Sequence, residues 1–211
     1  MSNALFQDVL HCTVRVYSVH LCFCSLLSVP LYACSEVNAE LVDGEDCQST
    51  TPLNEACIRG NLPLVKDLLK HGANANAKDP VGMRPLQTAC TMGYVPVVKA
   101  ILDYNHKSNH QTAKKMVEAP ITWSKNTVMH LVADNGDLEM MMVLLEYGAN
   151  PSVQNDDGVA PIHIAASQGH INIAEKLLDS GKNLPDHQCR SPLHYAAMRN
   201  QVDMINFLIS M

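Results

Sequence analysis

The chain has 211 residues, of which 47% are hydrophobic and 17% are charged, so it is long enough to bury an extended core and is not a low-complexity sequence. Its net charge is −6, and it has no run of basic residues. A nucleic-acid-binding protein carries a strongly basic face, so the composition argues against DNA or RNA as a partner.

The first 48 residues show no repeat and are predicted to form a leader that is poorly ordered or loosely docked. The candidate signal or anchor segment is residues 14–33. From Val16 to Ala33 it contains no acidic residue and no Lys or Arg, and this run has about the length of a short membrane span. An apolar centre followed by small residues is also typical of a secretory signal. His20 and Pro30 interrupt the run and weaken both interpretations. We therefore expect a cytoplasmic protein, with membrane association or secretion through this segment as the alternative.

From about residue 49 onward, three features recur five times in one register. The opening positions, spaced by 33, 43, 33 and 31 residues, are Pro52, Pro85, Val128, Pro161 and Pro192. The helix-breaking positions, eight residues later, are Gly60, Gly93, Gly136, Gly169 and Asn200. The paired aliphatic residues are Leu68–Leu69, Ile101–Leu102, Leu144–Leu145, Leu177–Leu178 and Leu208–Ile209. An opening proline and a mid-repeat glycine predict two short helices per repeat, and a period near 33 predicts a stack of such pairs.

The hexapeptides at the start of the repeats read TPLNEA, RPLQTA, TVMHLV, APIHIA and SPLHYA, and two repeats continue into LLKHGAN and LLEYGAN. These motifs resemble the T-P-L-H-x-A pattern and the later G-A-N signature of the ankyrin repeat family. The resemblance covers residues 49–211. It implies an all-α ankyrin-repeat solenoid of stacked helix-turn-helix units joined by hairpin loops. The five repeats are expected at about 49–80, 81–125, 126–155, 156–186 and 187–211.

Repeats two and three are separated by an insertion of about ten residues, within residues 106–126. Repeat two is expected to end at Asn105, and residues 112–118 are predicted to form one or two helical turns. Insertions in repeat proteins map to loops on one face, often the binding face, so we expect this one to leave the stack. Its only tryptophan, Trp123, is then an interface anchor. The alternative is that Trp123 folds back into the core beside Val128.

Several residues at helical spacing are expected in the core. Cys57 and Cys90 occupy positions of small buried side chains in the repeat. In repeat three, Met140 and Met141 are predicted to face the core, whereas Met142 falls at a position that is usually polar. In repeat four, Leu177 and Leu178 are both expected to be buried between neighbouring repeats.

The sequence contains no catalytic motif, and we expect no enzyme activity, no cofactor, no metal and no small-molecule substrate. His106 and His110 have the spacing of metal ligands but lack a third ligand nearby. The resemblance implies that His130, His163 and His194 bond the backbone and a threonine, which only His130 retains, as Thr127.

The leading hypothesis is a non-catalytic scaffold or adaptor that binds another protein through the concave face and hairpin loops. The alternative is a membrane-tethered or secreted ankyrin protein, or a fragment of a larger membrane protein. A third interpretation is modification by an asparaginyl hydroxylase at Asn76, which resembles the family's acceptor position. The resemblance places partner contacts before each mid-repeat breaker and at hairpin tips, and the insertion adds the tryptophan. The predicted contact residues are Ile58, Arg59, Met83, Thr91, Met92, Trp123, Asn126, Asp134, Asn135, Val159, Ser167, Gln168, Arg190, Met198 and Arg199.

Overall fold

The computed structural model describes residues 43–44, 50–108, 110–121, 124–180 and 185–211. Most of the predicted leader, including residues 14–33, and the predicted anchor Trp123 lie outside the described residues. The chain divides into two compact bodies, an N-terminal body that ends at Pro85 and a C-terminal body that begins at Leu86.

The described residues form eleven α-helices and no strand, which confirms the all-α prediction. Repeat one contributes α1 (Pro52–Ile58) and α2 (Leu62–Lys70). The remaining helices, in chain order, are α3 (Pro85–Thr91), α4 (Val95–Ser108), α5 (His110–Glu118), α6 (Val128–Asn135), α7 (Leu138–Glu146), α8 (Pro161–Gln168), α9 (Ile171–Ser180), α10 (Pro192–Met198) and α11 (Val202–Ser210).

Except at the end of α4, the helices of the repeats begin and end where the repeat predicts. The Thr51 hydroxyl accepts a hydrogen bond from the Asn54 amide at 3.3 Å, and the Asp137 carboxylate accepts one from the Met140 amide at 2.9 Å. Such side-chain caps satisfy amides that have no partner in the first helical turn. At the other end, the five predicted breakers have φ angles between +56° and +80°. A left-handed residue ends the inner helix, and asparagine is among the few residues that tolerate it, as at Asn200.

In the C-terminal body, the inner helices α6, α8 and α10 pack side by side, and α7, α9 and α11 pack behind them. Met140 and Met141 are fully buried while Met142 is 42% exposed, as predicted. The expectation for repeat four is only half correct. Leu177 is 2% exposed, but Leu178 is half-buried. Leu178 lies one position farther around the helix than the buried face that contains Leu177.

The insertion differs from its prediction. Helix α4 continues through Asn105, whose side-chain amide donates to the Ile101 carbonyl at 2.8 Å, so repeat two does not end there. Helix α5 then packs against α4 and α6, and it buries Ala113, Met116 and Val117. The expectation that the insertion leaves the stack is therefore wrong, since these side chains form an apolar face at i, i+3 and i+4 spacing. The helix expected at residues 112–118 is confirmed and starts two residues earlier.

Cys57 and Cys90 are buried, as predicted, and burial raises the pKa of the Cys57 thiol to about 12. Among the helices described here, the longest has 14 residues, and none combines the length and apolar character that crossing a membrane requires.

Candidate functional site

A groove of about 370 Å³ runs across the inner helices of repeats three, four and five. One half-buried apolar side chain from each of α6, α8 and α10 lines it: Leu131, Ile164 and Tyr195. These three residues occupy the same position of their hexapeptides, so the stacking of the repeats places them in a row. We call this row the apolar stripe. In repeats one and two the same position holds the polar residues Glu55 and Thr88.

Polar side chains form the rim of the groove. Five of the predicted contact residues line it: Asn126, Asp134, Ser167, Gln168 and Arg199. The Gln168 amide donates a hydrogen bond to the Asp134 carboxylate at 2.5 Å and so links repeats three and four. The Asn126 side chain accepts one from Asn155 at 2.8 Å. The structure therefore brings together predicted residues from three repeats.

His130 lies beneath the groove, and its hydrogen bonds show a structural role. Its Nδ1 accepts from the Thr127 amide at 3.1 Å, so Nε2 carries the proton and donates to the Val159 carbonyl at 2.9 Å. Burial lowers the pKa of His130, although the bond to Val159 opposes this effect. A buried, neutral histidine with both ring nitrogens bonded joins two repeats and is unsuited to proton transfer.

His163 and His194 repeat the Nδ1 contact of His130. His163 accepts from the Ala160 amide at 3.0 Å, and His194 accepts from the Ser191 amide at 3.1 Å. The hydroxyl partner is Thr127 for His130 and Ser191 for His194, and alanine removes it for His163. The threonine hydroxyl that the resemblance implies is therefore present only for His130, and a serine hydroxyl replaces it for His194.

Tyr195 is held in place from two directions. Its hydroxyl donates to the Asp186 carboxylate at 2.8 Å and accepts from the Arg190 guanidinium at 3.0 Å. The Arg190 guanidinium also pairs with Asp186 at 2.7 Å and lies 5.0 Å from the centre of the tyrosine ring. Burial opposes ionisation of Asp186, but hydrogen bonds from Arg190, Tyr195 and Gln188 outweigh it and hold its pKa well below the usual range. Arg190, predicted as a contact residue, thus fixes the aromatic end of the groove.

The other predicted contact residues within the described ranges do not line the groove. Ile58 and Arg59 end α1, Met83 is half-buried, and Thr91 and Met92 are exposed at the end of α3. In the C-terminal body, Asn135 and Met198 are exposed outside the groove, and Val159 contributes its carbonyl to His130. Trp123 lies outside the described residues. Close to it in the chain, the Ile121 amide donates a hydrogen bond to the Asn126 carbonyl at 2.7 Å.

The sequence prediction missed Ile121 and the apolar stripe. A signal for the stripe was present, because the fifth hexapeptide position is apolar only in repeats three to five. Ile121 carried no such signal, since it belongs to the insertion and has no counterpart in the other repeats.

The described ranges contain no group of three His, Cys, Asp or Glu side chains placed to hold a metal ion. His106, from the predicted histidine pair, packs edge-on against Tyr147 with ring centres 5.7 Å apart.

The family profile described as ankyrin repeats (3 copies) matches residues 14–112, 104–186 and 129–211. The chain belongs to the ankyrin repeat family. The first matched range begins inside the predicted leader, and the boundary near residue 49 stays a prediction. Ankyrin repeats generally mediate protein–protein interaction, and the fold is generally non-catalytic.

Curated relatives are much longer than this ankyrin chain. It is 32% identical over 162 residues to the ankyrin repeat and KH domain-containing protein mask-1 of Caenorhabditis elegans. The aligned region makes up 76% of this chain and 6% of that protein. The chain is 28% identical over 102 residues to the putative E3 ubiquitin-protein ligase XBAT31 of Arabidopsis thaliana, covering 47% and 22% respectively. It is 40% identical over 76 residues to a transient receptor potential cation channel subfamily A member 1 homolog of Caenorhabditis elegans, covering 35% and 6%. The chain therefore spans less than a quarter of each of these proteins.

Proposed function

We propose that this ankyrin chain is a non-catalytic binding module that holds a segment of another protein in the groove of repeats three to five. The observation that carries the proposal is the groove itself, in which an apolar stripe is bordered by polar residues from three repeats. In binding sites, apolar lining residues bury the ligand, and a few polar groups at the edge fix its orientation and give specificity. The repeat architecture supports it, since stacked helix pairs fix the core and leave the inner-helix surface free for recognition.

Affinity capture with paired variants tests the proposal. Ile164→Arg places a charge on the apolar stripe, whereas Glu175→Lys introduces a cation at an exposed position of α9, outside the groove. The full chain and both variants are immobilised, and proteins retained from a cell lysate are quantified by mass spectrometry. We expect partners that bind the wild type and Glu175→Lys equally and are lost from Ile164→Arg, with circular dichroism confirming that all three fold. Retention of every bound protein by a folded Ile164→Arg variant would contradict the proposal.

A further inference from the structure

Among the described residues that line the groove, the two charged side chains have opposite sign and belong to different repeats. Asp134 lies on α6 in repeat three, and Arg199 follows α10 in repeat five. The rim between them, contributed by repeat four, consists of the neutral residues Ser167 and Gln168. The groove is therefore negative at one end and positive at the other.

Both charges are available to a ligand. Arg199 is exposed, and no hydrogen bond or ion pair engages its guanidinium within the described part of the chain, in contrast to Arg190. One oxygen of Asp134 accepts from Gln168, and a carboxylate has about four acceptor sites in all, so it retains capacity for a further donor. An incoming basic group at Asp134 and an incoming carboxylate at Arg199 would each find a complementary charge.

The apolar stripe crosses the same three repeats as these charges, with Leu131 three residues before Asp134 and Tyr195 four residues before Arg199, and it is fixed before a ligand arrives. Its aromatic member, Tyr195, is anchored by Asp186 and Arg190 and packs edge-on against His163, with ring centres 5.1 Å apart. A ring that is already immobilised loses little conformational entropy on binding. The middle of the groove is thus prepared for an apolar side chain.

The stacking geometry sets the spacing between the charged ends. Packed helices lie about 8–10 Å apart, so two steps from repeat three to repeat five span about 16–20 Å. An extended chain advances about 3.3 Å per residue, and about five or six residues cover that distance.

We propose that the groove binds an extended peptide segment of a partner protein in which a basic and an acidic residue, about five or six positions apart, flank an apolar side chain. The basic side chain pairs with Asp134, the acidic side chain pairs with Arg199, and the apolar one lies on the stripe. This inference rests on the proposed function and adds the chemistry of the partner. It also predicts that segments with two like charges at these positions bind less tightly, because one of the two ends then repels the ligand.

Selection from a phage-displayed random dodecapeptide library tests this charge pattern. The targets are the full chain, Arg199→Glu, and Lys66→Glu, which makes the same charge change at an exposed position of α2. We expect the wild type and Lys66→Glu to select peptides with opposite charges on either side of an apolar residue, and Arg199→Glu to select peptides with basic residues on both sides. A synthetic wild-type consensus peptide, measured by fluorescence anisotropy, is expected to bind Arg199→Glu about fivefold more weakly, the upper end for an exposed ion pair.

Selection against Ile164→Arg separates the inference from the proposed function. A consensus without charge preference that is lost from Ile164→Arg overturns the charge pattern and leaves the groove as the binding site. Absence of any enriched peptide, or enrichment that is equal on wild type and Ile164→Arg, overturns both. Ser167→Arg, at the half-buried rim, replaces Ile164→Arg if the latter fails to fold by circular dichroism.

Discussion

Two adjacent leucines on α9 differ in burial and should therefore differ in their contribution to stability. Leu177 is 2% exposed and Leu178 is half-buried. We expect Leu177→Ala to lower the free energy of unfolding by about 2–5 kcal/mol, through lost apolar burial and the cavity left behind. Leu178→Ala should cost about 1 kcal/mol, the average for a point mutation. Chemical denaturation of both variants measures this difference, and equal losses would show that the two side chains are packed alike.

The buried histidines make stability depend on pH. Burial lowers the pKa of His163 below its ordinary value of 6.5, although the Arg190 carbonyl opposes this effect. The unfolded chain then binds more protons than the folded chain. The contribution of His163 to the free energy of unfolding is therefore fully present above about pH 6.5, and it is lost as the pH falls through the lower pKa of the folded state. Burial also lowers the pKa of His130, so its contribution depends on pH in the same way.

His163→Asn tests this dependence, because asparagine also has an oxygen that can accept from the Ala160 amide and does not titrate. We expect unfolding free energies measured from pH 7 to pH 5 to fall less in this variant than in the wild type. Parallel pH profiles would mean that His163 titrates equally in the folded and unfolded chains.

Helix α5 has one face toward the stack and one toward solvent, and substitutions on the two faces should separate. Met116 is 3% exposed, and its neighbour Lys115 is exposed. Met116→Ala is expected to cost about 2–5 kcal/mol of unfolding free energy. Lys115→Ala should change it by no more than about 0.5 kcal/mol. If both variants unfold at the same denaturant concentration as the wild type, α5 does not contribute to the core.

Two hairpin glycines share a left-handed conformation but have different surroundings. Gly158 and Gly82 have φ angles of +76° and +89°. A Cβ at Gly158 would lie 2.6 Å from the His187 amide nitrogen, whereas one at Gly82 would meet no atom within 4 Å. Both alanine variants carry the conformational cost of about 1–2 kcal/mol, and Gly158→Ala adds a collision with backbone. Thermal melting should show the larger loss for Gly158→Ala, and equal shifts would exclude a close approach of the hairpins.

The repeated helices could be predicted because each carries its own local signals. An opening proline such as Pro161, a breaker such as Gly169 and a pair of aliphatic residues recur in register, so each repeat supports the assignment of the others. The insertion lacks that support, and its helix was predicted only in part, although Ala113, Met116 and Val117 have helical spacing. The groove depends on which positions meet across repeats. Its polar rim followed from the resemblance, whereas Ile121 enters it only through the path of the inserted chain.

At the scale of the whole chain, the location of the protein depends on residues 14–33. We propose that it is cytoplasmic, because His20 and Pro30 interrupt the apolar run. Tagged full-length chain should then fractionate with cytosolic markers and keep its N-terminal residues, as read by mass spectrometry. A variant with Ser18→Leu, His20→Leu and Pro30→Leu, which removes the two interruptions and one of the three serines of the run, is the matched comparison and should move toward membranes. Recovery of the wild-type chain from membranes would favour the anchored alternative, and recovery of a chain cleaved near Ala33 would favour the secreted one.

The even spacing of the contacts between repeats also bears on how the chain reaches its native state. Hydrogen bonds such as that from His130 to Val159 and that from Gln168 to Asp134 join residues 29 and 34 positions apart. Each added repeat closes a loop of similar length, so repeats can join the stack one after another from any starting point. The opening positions of repeats two and three are 43 residues apart instead of 33, which adds only about 0.2 kcal/mol of loop-closure entropy. The chain therefore gains α5 with almost no delay to the growth of the stack across the insertion.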